Sequence, residues 1–164
     1  MLDLLPELFD TFPEQIQLLP LPLKQYGGKR IFWGEVVTVK CFEDNSMVKQ
    51  LLARPGMGKV LVVDGGGSLD KALMGDLIGQ SAVDNGWSGV VINGAIRDAG
   101  ALAKMPLGIK ALGTVPVKTA RKGLGDVNCP LVFGNQTVTT GMLIYADDNG
   151  LAISNTALDL SLIS

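Results

Sequence analysis

Residues 59–98 read KVLVVDGGGSLDKALMGDLIGQSAVDNGWSGVVINGAIRD. The first five, KVLVV, form a short continuous apolar run, the pattern of a strand covered on both faces. DGGGS at 64–68 follows it, a turn that needs glycine's conformational freedom. The spacing then predicts a helix over about 75–85, closed by Gly86. A second buried strand, WSGVVIN, is expected over 87–93. Arg97 and Asp98 come directly after it, and a short helix is expected over 99–104. Strand, turn, helix and strand in this order mark an α/β chain.

Working outward, residues 109–115 read as a strand. Residues 116–130 are rich in Pro, Gly and Lys and read as a long exposed loop. The segment LVFGNQTVTTGMLIYADDNGLAIS (131–154) carries β-type runs, with a hairpin turn expected at Asp148-Asn149-Gly150. Upstream, RIFWGEVVTVKCF (30–42) is rich in β-branched and aromatic residues, a strand with a bulge expected at Gly34. Asp44 or Asn45 is placed to cap a helix running to Ala53, which Pro55-Gly56 stops. Residues 13–28 hold three prolines and Gly27-Gly28 and read as a surface connection. Residues 2–12 read as a short helix broken near Pro6. Strands alternate with helices in the middle and hairpins crowd the ends. The expectation is an α/β fold with a mixed central sheet, in a single domain spanning 1–164 without repeat or linker.

Composition removes several classes of function. The chain has 14 Lys and Arg against 16 Asp and Glu, a net charge of −2, so a broad electrostatic surface for direct nucleic-acid binding is not expected. It has no histidine, which excludes Ser-His-Asp and Cys-His catalysis and His-ligated zinc. Cys41 and Cys129 are far apart and form no CxxC pair, so a thiolate zinc site is not expected, and Cys41 reads as a core thiol. The first ten residues, MLDLLPELFD, lack a basic segment, and no run of 18 apolar residues exists. A cytoplasmic protein without a membrane span is therefore expected.

Three places carry candidate chemistry. Three successive glycines in DGGGS suit an anion-binding nest, but the pattern is neither GxGxxG nor GxxxxGK[ST], and a tight turn accounts for it better. The start of the helix, Gly75-Asp76-Leu77-Ile78, offers free backbone N–H groups to a carboxylate; taken alone, Asp76 reads more simply as a cap. Arg97-Asp98 follows a buried strand, where ligands of open α/β sheets collect. The guanidinium suits a carboxylate, and the Asp carboxylate suits Mg²⁺ or Mn²⁺. Twenty residues, one helix and one strand, separate Asp76 from Arg97, which puts both at the same end of a sheet.

On the blocks VTVKCFEDNSMV (37–48), KVLVVDGGGSLDKALMGDLIGQSAVDNGW (59–87), GVVINGAIRD (89–98) and IYADDNGLAIS (144–154), the chain resembles the family of the regulator of ribonuclease activity A and the class II 4-hydroxy-4-methyl-2-oxoglutarate aldolases. The resemblance implies a swivelling β/β/α-type fold and a homotrimer. The lyase branch is marked by Asp, twenty residues, then Arg-Asp, which this chain keeps as Asp76, Arg97 and Asp98. It implies Asp98 as ligand of a divalent cation (Mg²⁺ or Mn²⁺), and Arg97 with the backbone of Gly75, Asp76, Leu77 and Ile78 as the binding site of a pyruvate-type substrate. Asp76 and Arg97 would be catalytic. Many relatives carry an acidic residue three positions after that Asp, where this chain has Ala101.

The implied reaction is carbon–carbon cleavage of 4-hydroxy-4-methyl-2-oxoglutarate, or decarboxylation of oxaloacetate, through a pyruvate enolate. The competing expectation is a regulator that binds and inhibits an RNA-degrading endonuclease, ribonuclease E, toward which the CFEDN and VVDGGGS blocks lean. The intact Asp76, Arg97, Asp98 pattern favours the enzyme. A methyltransferase acting on a quinone precursor is not supported, since no GxGxxG-like loop follows an early strand.

Overall fold

The computed structural model describes residues 1–163, with elements following the chain in this order. Helix α1 (Leu5–Thr11) precedes two short strands, β1 (Ile16–Leu18) and β2 (Lys24–Gln25). Next come β3 (Phe32–Lys40), α2 (Ser46–Leu52), β4 (Lys59–Asp64), α3 (Asp76–Asp84), β5 (Gly89–Ile96), α4 (Ala99–Leu102) and β6 (Gly108–Thr114). The last third holds β7 (Asp126–Val127), β8 (Leu131–Phe133), β9 (Gln136–Val138), β10 (Leu143–Asp147), β11 (Gly150–Ser154) and a 3-10 turn at Leu160–Leu162.

Among the described residues nine strands share one mixed sheet in the order β1-β11-β10-β3-β4-β5-β6-β2, with β7 beside the end of β3. The stretch β3-β4-β5-β6 is parallel and its flanks are antiparallel. Strand β4 shows why the sequence reads as an unbroken apolar run. Leu61 and Val63 pack on one face with Val90, Ile92, Leu52 of α2 and Ile78 of α3. Val60 and Val62 pack on the other with Val36, Val91, Ile144 and Leu151. All four β4 side chains are fully buried, so each position must be apolar. Lys110 of β6, also buried, donates from Nζ to the Asp147 carbonyl at the end of β10, 2.5 Å away. That bond joins strands far apart in the sheet order.

Several expectations change in detail. Residues 13–28 are not only a connection: they hold β1 and β2, which pair with β11 and β6. These strands are too short to leave a period-2 pattern. Pro6 does not break α1 but sits in its first turn, where the missing N–H costs nothing. Gly34 makes no bulge; it lies in regular register opposite Ile144, and a Cβ there would lie 2.7 Å from the Gly58 carbonyl oxygen. The hairpin turn is Asp148-Asn149, one residue shorter than expected, because Gly150 already pairs with Asp147. The 116–130 segment contains β7 and is anchored at several points, as described below.

The first turn of α1 has an unexpected cap. Leu4 and Leu5 donate their backbone N–H groups to Asp147 Oδ2, at 2.8 and 2.9 Å. Asp147 is fully buried and also accepts from Asn149. A carboxylate 142 residues away thus ties the chain's start to β10.

Candidate functional site

Strand β5 loses regular register with β6 between Ile92 and Ala95, then ends at Ile96. Arg97 donates its backbone N–H to the Met74 carbonyl (2.9 Å), and Leu73 donates to that of Ala95 (2.8 Å). These bonds hold the 73–75 segment against the end of β5. Asp98 is in the left-handed conformation (φ 58°, ψ 40°), which Asp tolerates better than most residues. It occupies the cap position of α4 but makes no capping bond with its side chain. Its Oδ2 instead accepts the Asp76 backbone N–H, 2.8 Å away. The Arg97 Nε lies 4.0 Å from the same oxygen, a contact rather than a hydrogen bond.

This arrangement explains Gly75. A Cβ there would lie 2.6 Å from Asp98 Oδ2 and 3.2 Å from Arg97 Cγ. Only glycine lets the Asp98 carboxylate reach the first turn of α3. Asp76 is not the cap of α3; Gly75 takes that position, and no side chain bonds to it. Because the Asp76 N–H is already used by Asp98, the donors left in the first turn are those of Leu77 and Ile78. Neither meets an acceptor among the described residues.

A cleft of about 460 Å³ opens here, within the usual ~300–1,000 Å³ range of small-molecule sites. One wall is Gly75 to Ile78 with Arg97; the other is Lys118 to Arg121 with Asn45, which bonds Thr119 and Arg121, and Ala72 completes the lining. Asp98 lies beside the lining rather than in it, bonded to Asp76. The Asp76 carboxylate lines the cleft and accepts no hydrogen bond from the described residues. Ala101 is on the exposed side of α4 and brings no oxygen.

The sequence marks the second wall only as an exposed loop. It is fixed by the Ala72 N–H bonding to the Val117 carbonyl (2.7 Å) and by Asp44, whose Oδ2 accepts the N–H groups of Lys122 and Leu124. Burial works against ionisation of Asp44, but bonds from the side chain and backbone of Ser46 and from Lys122 and Leu124 outweigh it, holding its pKa at about 2. The available signal was three cations in five residues, Lys118, Arg121 and Lys122. The glycine turn at 64–68 has the opposite outcome. Gly65 and Gly67 donate to the Asn93 carbonyl and Gly66 to Asp64 Oδ1, leaving no nest for an anion.

Among the described residues no three His, Cys, Asp or Glu side chains converge as a metal cage. The donor set nevertheless fits a hard cation that keeps most of its water. Both contacts to Asp98 fall on Oδ2, while Oδ1 takes none from the described residues. Mg²⁺ is commonly held by one or two carboxylates with water and substrate completing the shell.

The model of the RraA-like family, described as Aldolase/RraA, matches residues 5–153. The chain belongs to the RraA-like family. An RraA-like relative from Shewanella oneidensis, named "Putative 4-hydroxy-4-methyl-2-oxoglutarate aldolase", is 58% identical over the full length of both chains. A solved structure from Geobacillus kaustophilus, described as an S-adenosylmethionine:2-dimethylmenaquinone methyltransferase, is 42% identical with a TM-score of 0.92, covering 95% of this chain and 97% of that one. The RNA-processing inhibitor RraA from Thermus thermophilis is 39% identical with a TM-score of 0.92, covering 99% of both chains. The mixed sheet is thus the swivelling β/β/α architecture of RraA-like proteins. Among the described residues, no helix is long and apolar enough to cross a membrane.

Proposed function

We propose that this RraA-like protein is a divalent-metal-dependent carbon–carbon lyase. It cleaves 4-hydroxy-4-methyl-2-oxoglutarate to pyruvate, and decarboxylates oxaloacetate by the same enolate chemistry. One observation carries the reading: the Asp98 carboxylate is pinned by the Asp76 N–H beside the Arg97 guanidinium, at a cleft where the Leu77 and Ile78 N–H groups stand free. The 58% identical Shewanella oneidensis relative, by its name, supports it.

Each residue then has a task. Arg97 and the N–H groups of Leu77 and Ile78 hold the carboxylate and C2 oxygen of the 2-oxo acid. A cation at Asp98 supplies Lewis-acid stabilisation of the enolate charge. Cleavage breaks the C3–C4 bond, and its electron pair passes into the enolate. The C4 hydroxyl loses a proton and C3 gains one. Asp76, with an unengaged carboxylate in the cleft, orients the water that carries that proton. The positive charge of Arg97 is in place before reaction, so no reorganisation is needed as charge develops.

The test is a coupled pyruvate-release assay on both substrates, with chelated protein and with added Mg²⁺ or Mn²⁺. Metal-restored turnover is expected. Turnover no higher than that of Asp98→Ala would defeat the lyase assignment. The second reading, less favoured than the lyase, is binding of an RNA-degrading endonuclease; the likeness to the Thermus thermophilis RNA-processing inhibitor is what keeps it in view. Inhibition of that endonuclease by Asp98→Ala as strongly as by wild type would show that the role does not need the cleft. We further propose a cytoplasmic homotrimer, for which light scattering should return three chain masses.

A further inference from the structure

We infer that Arg121 reads the second, distal carboxylate of a dicarboxylic 2-oxo acid, held ready for it by Asn45 and Thr119. The inference rests on the lyase reading and deepens it by naming what distinguishes the substrate class.

The cleft carries cations on both walls: Arg97 on one, Lys118 and Arg121 on the other, with Asp76 as the acidic group among its lining residues. A monocarboxylic acid bound at Arg97 has no use for the opposite pair. Arg121 is not a loose surface side chain. Its Nε donates to Asn45 Oδ1 at 3.0 Å. The same oxygen accepts the Thr119 hydroxyl at 2.9 Å, and Thr119 Oγ1 accepts the Asn45 N–H at 3.3 Å. Asn45 and Thr119 are both buried, so this platform is rigid.

Asn45 is neutral, so it fixes the guanidinium without cancelling its charge. Neither Arg121 nor Lys118 forms an ion pair among the described residues, where Arg30 pairs with Asp148 and Arg97 touches Asp98. The four N–H groups on the two terminal nitrogens of Arg121 have no acceptor among them either. A planar fork, charged and pre-oriented at one nitrogen, is the arrangement that takes a carboxylate bidentately at low entropic cost. A substrate whose two carboxylates flank the bond being cut would lie across the cleft, one end at Arg97 and the other at Arg121.

Calorimetric titration of the Mg²⁺-loaded protein with 2-oxoglutarate and with 2-oxobutyrate separates the two ends. Wild type is expected to prefer the dicarboxylate by at least about tenfold, the size of a charge-assisted pair. Arg121→Gln should erase the preference while leaving 2-oxobutyrate affinity within about twofold, and Arg121→Lys should restore part of it. Kinetically, Arg121→Gln should lower kcat/KM for 4-hydroxy-4-methyl-2-oxoglutarate by about ten- to a hundredfold through KM. It should spare the monocarboxylic analogue 4-hydroxy-4-methyl-2-oxopentanoate. A preference that survives Arg121→Gln, an equal loss for both ligands, or no preference in wild type would overturn the inference. If wild type binds the dicarboxylate selectively yet cleaves neither substrate, the lyase reading fails and the recognition role stands.

Discussion

Replacing Gly75 with alanine adds one methyl group at the point on which the candidate site turns. The backbone at Gly75 is extended (φ −131°, ψ −162°), so alanine adopts it without strain. The new Cβ, however, would lie 2.6 Å from Asp98 Oδ2, some 0.4 Å inside the 3.0 Å that real Cβ contacts respect. The carboxylate must move outward, weakening its bond to the Asp76 N–H, and Arg97 Cγ at 3.2 Å is pressed as well. The lost charge-assisted bond costs about 1–2 kcal/mol. The reduced freedom of the unfolded chain returns about 0.4–1 kcal/mol. Net stability therefore changes by no more than about 1–2 kcal/mol, a few degrees in Tm for a chain of this size. Catalysis should suffer far more, because displacing a catalytic group by a fraction of an ångström to 1 Å costs up to about a hundredfold. The measurements are pyruvate release with saturating Mg²⁺ and a thermal melt of the same preparation. The same substitution in an Asp98→Ala background should lose most of its effect, since the nearest atom it strikes is gone and only the longer contacts to Arg97 remain. Activity within about twofold of wild type, or an undiminished loss in the Asp98→Ala background, would refute the reasoning.

Other outcomes rest on particular contacts. Asp98→Ala should lower turnover by at least about a hundredfold at a stability cost of only about 1–2 kcal/mol, the worth of its bond to the Asp76 N–H, and Arg97→Lys should also be harmful because a point charge cannot replace the fork; kcat and KM measured beside a melt check both. Asp147→Ala should destabilise by about 2–4 kcal/mol in a urea titration, because it strands the buried Leu4 and Leu5 N–H groups. Acid unfolding should set in below about pH 4: Asp44, at about 2, and Asp147 both ionise more readily folded than unfolded, so their stabilisation is full above the unfolded carboxylate value and is lost as pH falls through the folded ones. Burial and the charges of Asp44 and Asp64 push the Cys41 thiol up to about 12, so a thiol reagent at pH 7 should label Cys129 in the native protein and Cys41 only after unfolding.

The parts of the fold legible in the sequence are those decided by local chemistry. Strand β4 was readable because both of its faces are buried, and Gly86 marks the end of α3 because its φ of +81° favours glycine. A single helix-plus-strand spacing puts Asp76 and Arg97 at one end of the sheet, and the bond from the Asp76 N–H to Asp98 spans that gap. The illegible parts depend on distant partners. Strands β1 and β2 have too few residues for a pattern and exist because β11 and β6 offer edges. Asp147 as the cap of α1 joins residues 143 positions apart, which no local motif announces. Cys41, by contrast, was recognisable as a core thiol from its apolar neighbours alone.

The second wall of the cleft shows how a misread loop acquires chemistry. Pro, Gly and Lys between 116 and 130 signal exposure, and Lys118 and Arg121 are indeed exposed. Exposure of a side chain does not imply a free backbone. The N–H groups of Lys122 and Leu124 end on Asp44, the Val117 carbonyl on Ala72, and the Thr119 hydroxyl on Asn45. Asp44 and Asn45 both read as cap candidates in the sequence; Asp44 bonds the Ser46 N–H at the start of α2 as well as the loop, whereas Asn45 takes the cap position without a side-chain bond there and gives its amide oxygen to the loop. A carboxylate and an amide next to each other thus do different work. Asp44 fixes backbone by charge; Asn45 fixes a guanidinium without charge, leaving Arg121 its full attraction for an anion. Exchanging the two would put a carboxylate under Arg121 and cancel the field that faces Arg97 across the cleft.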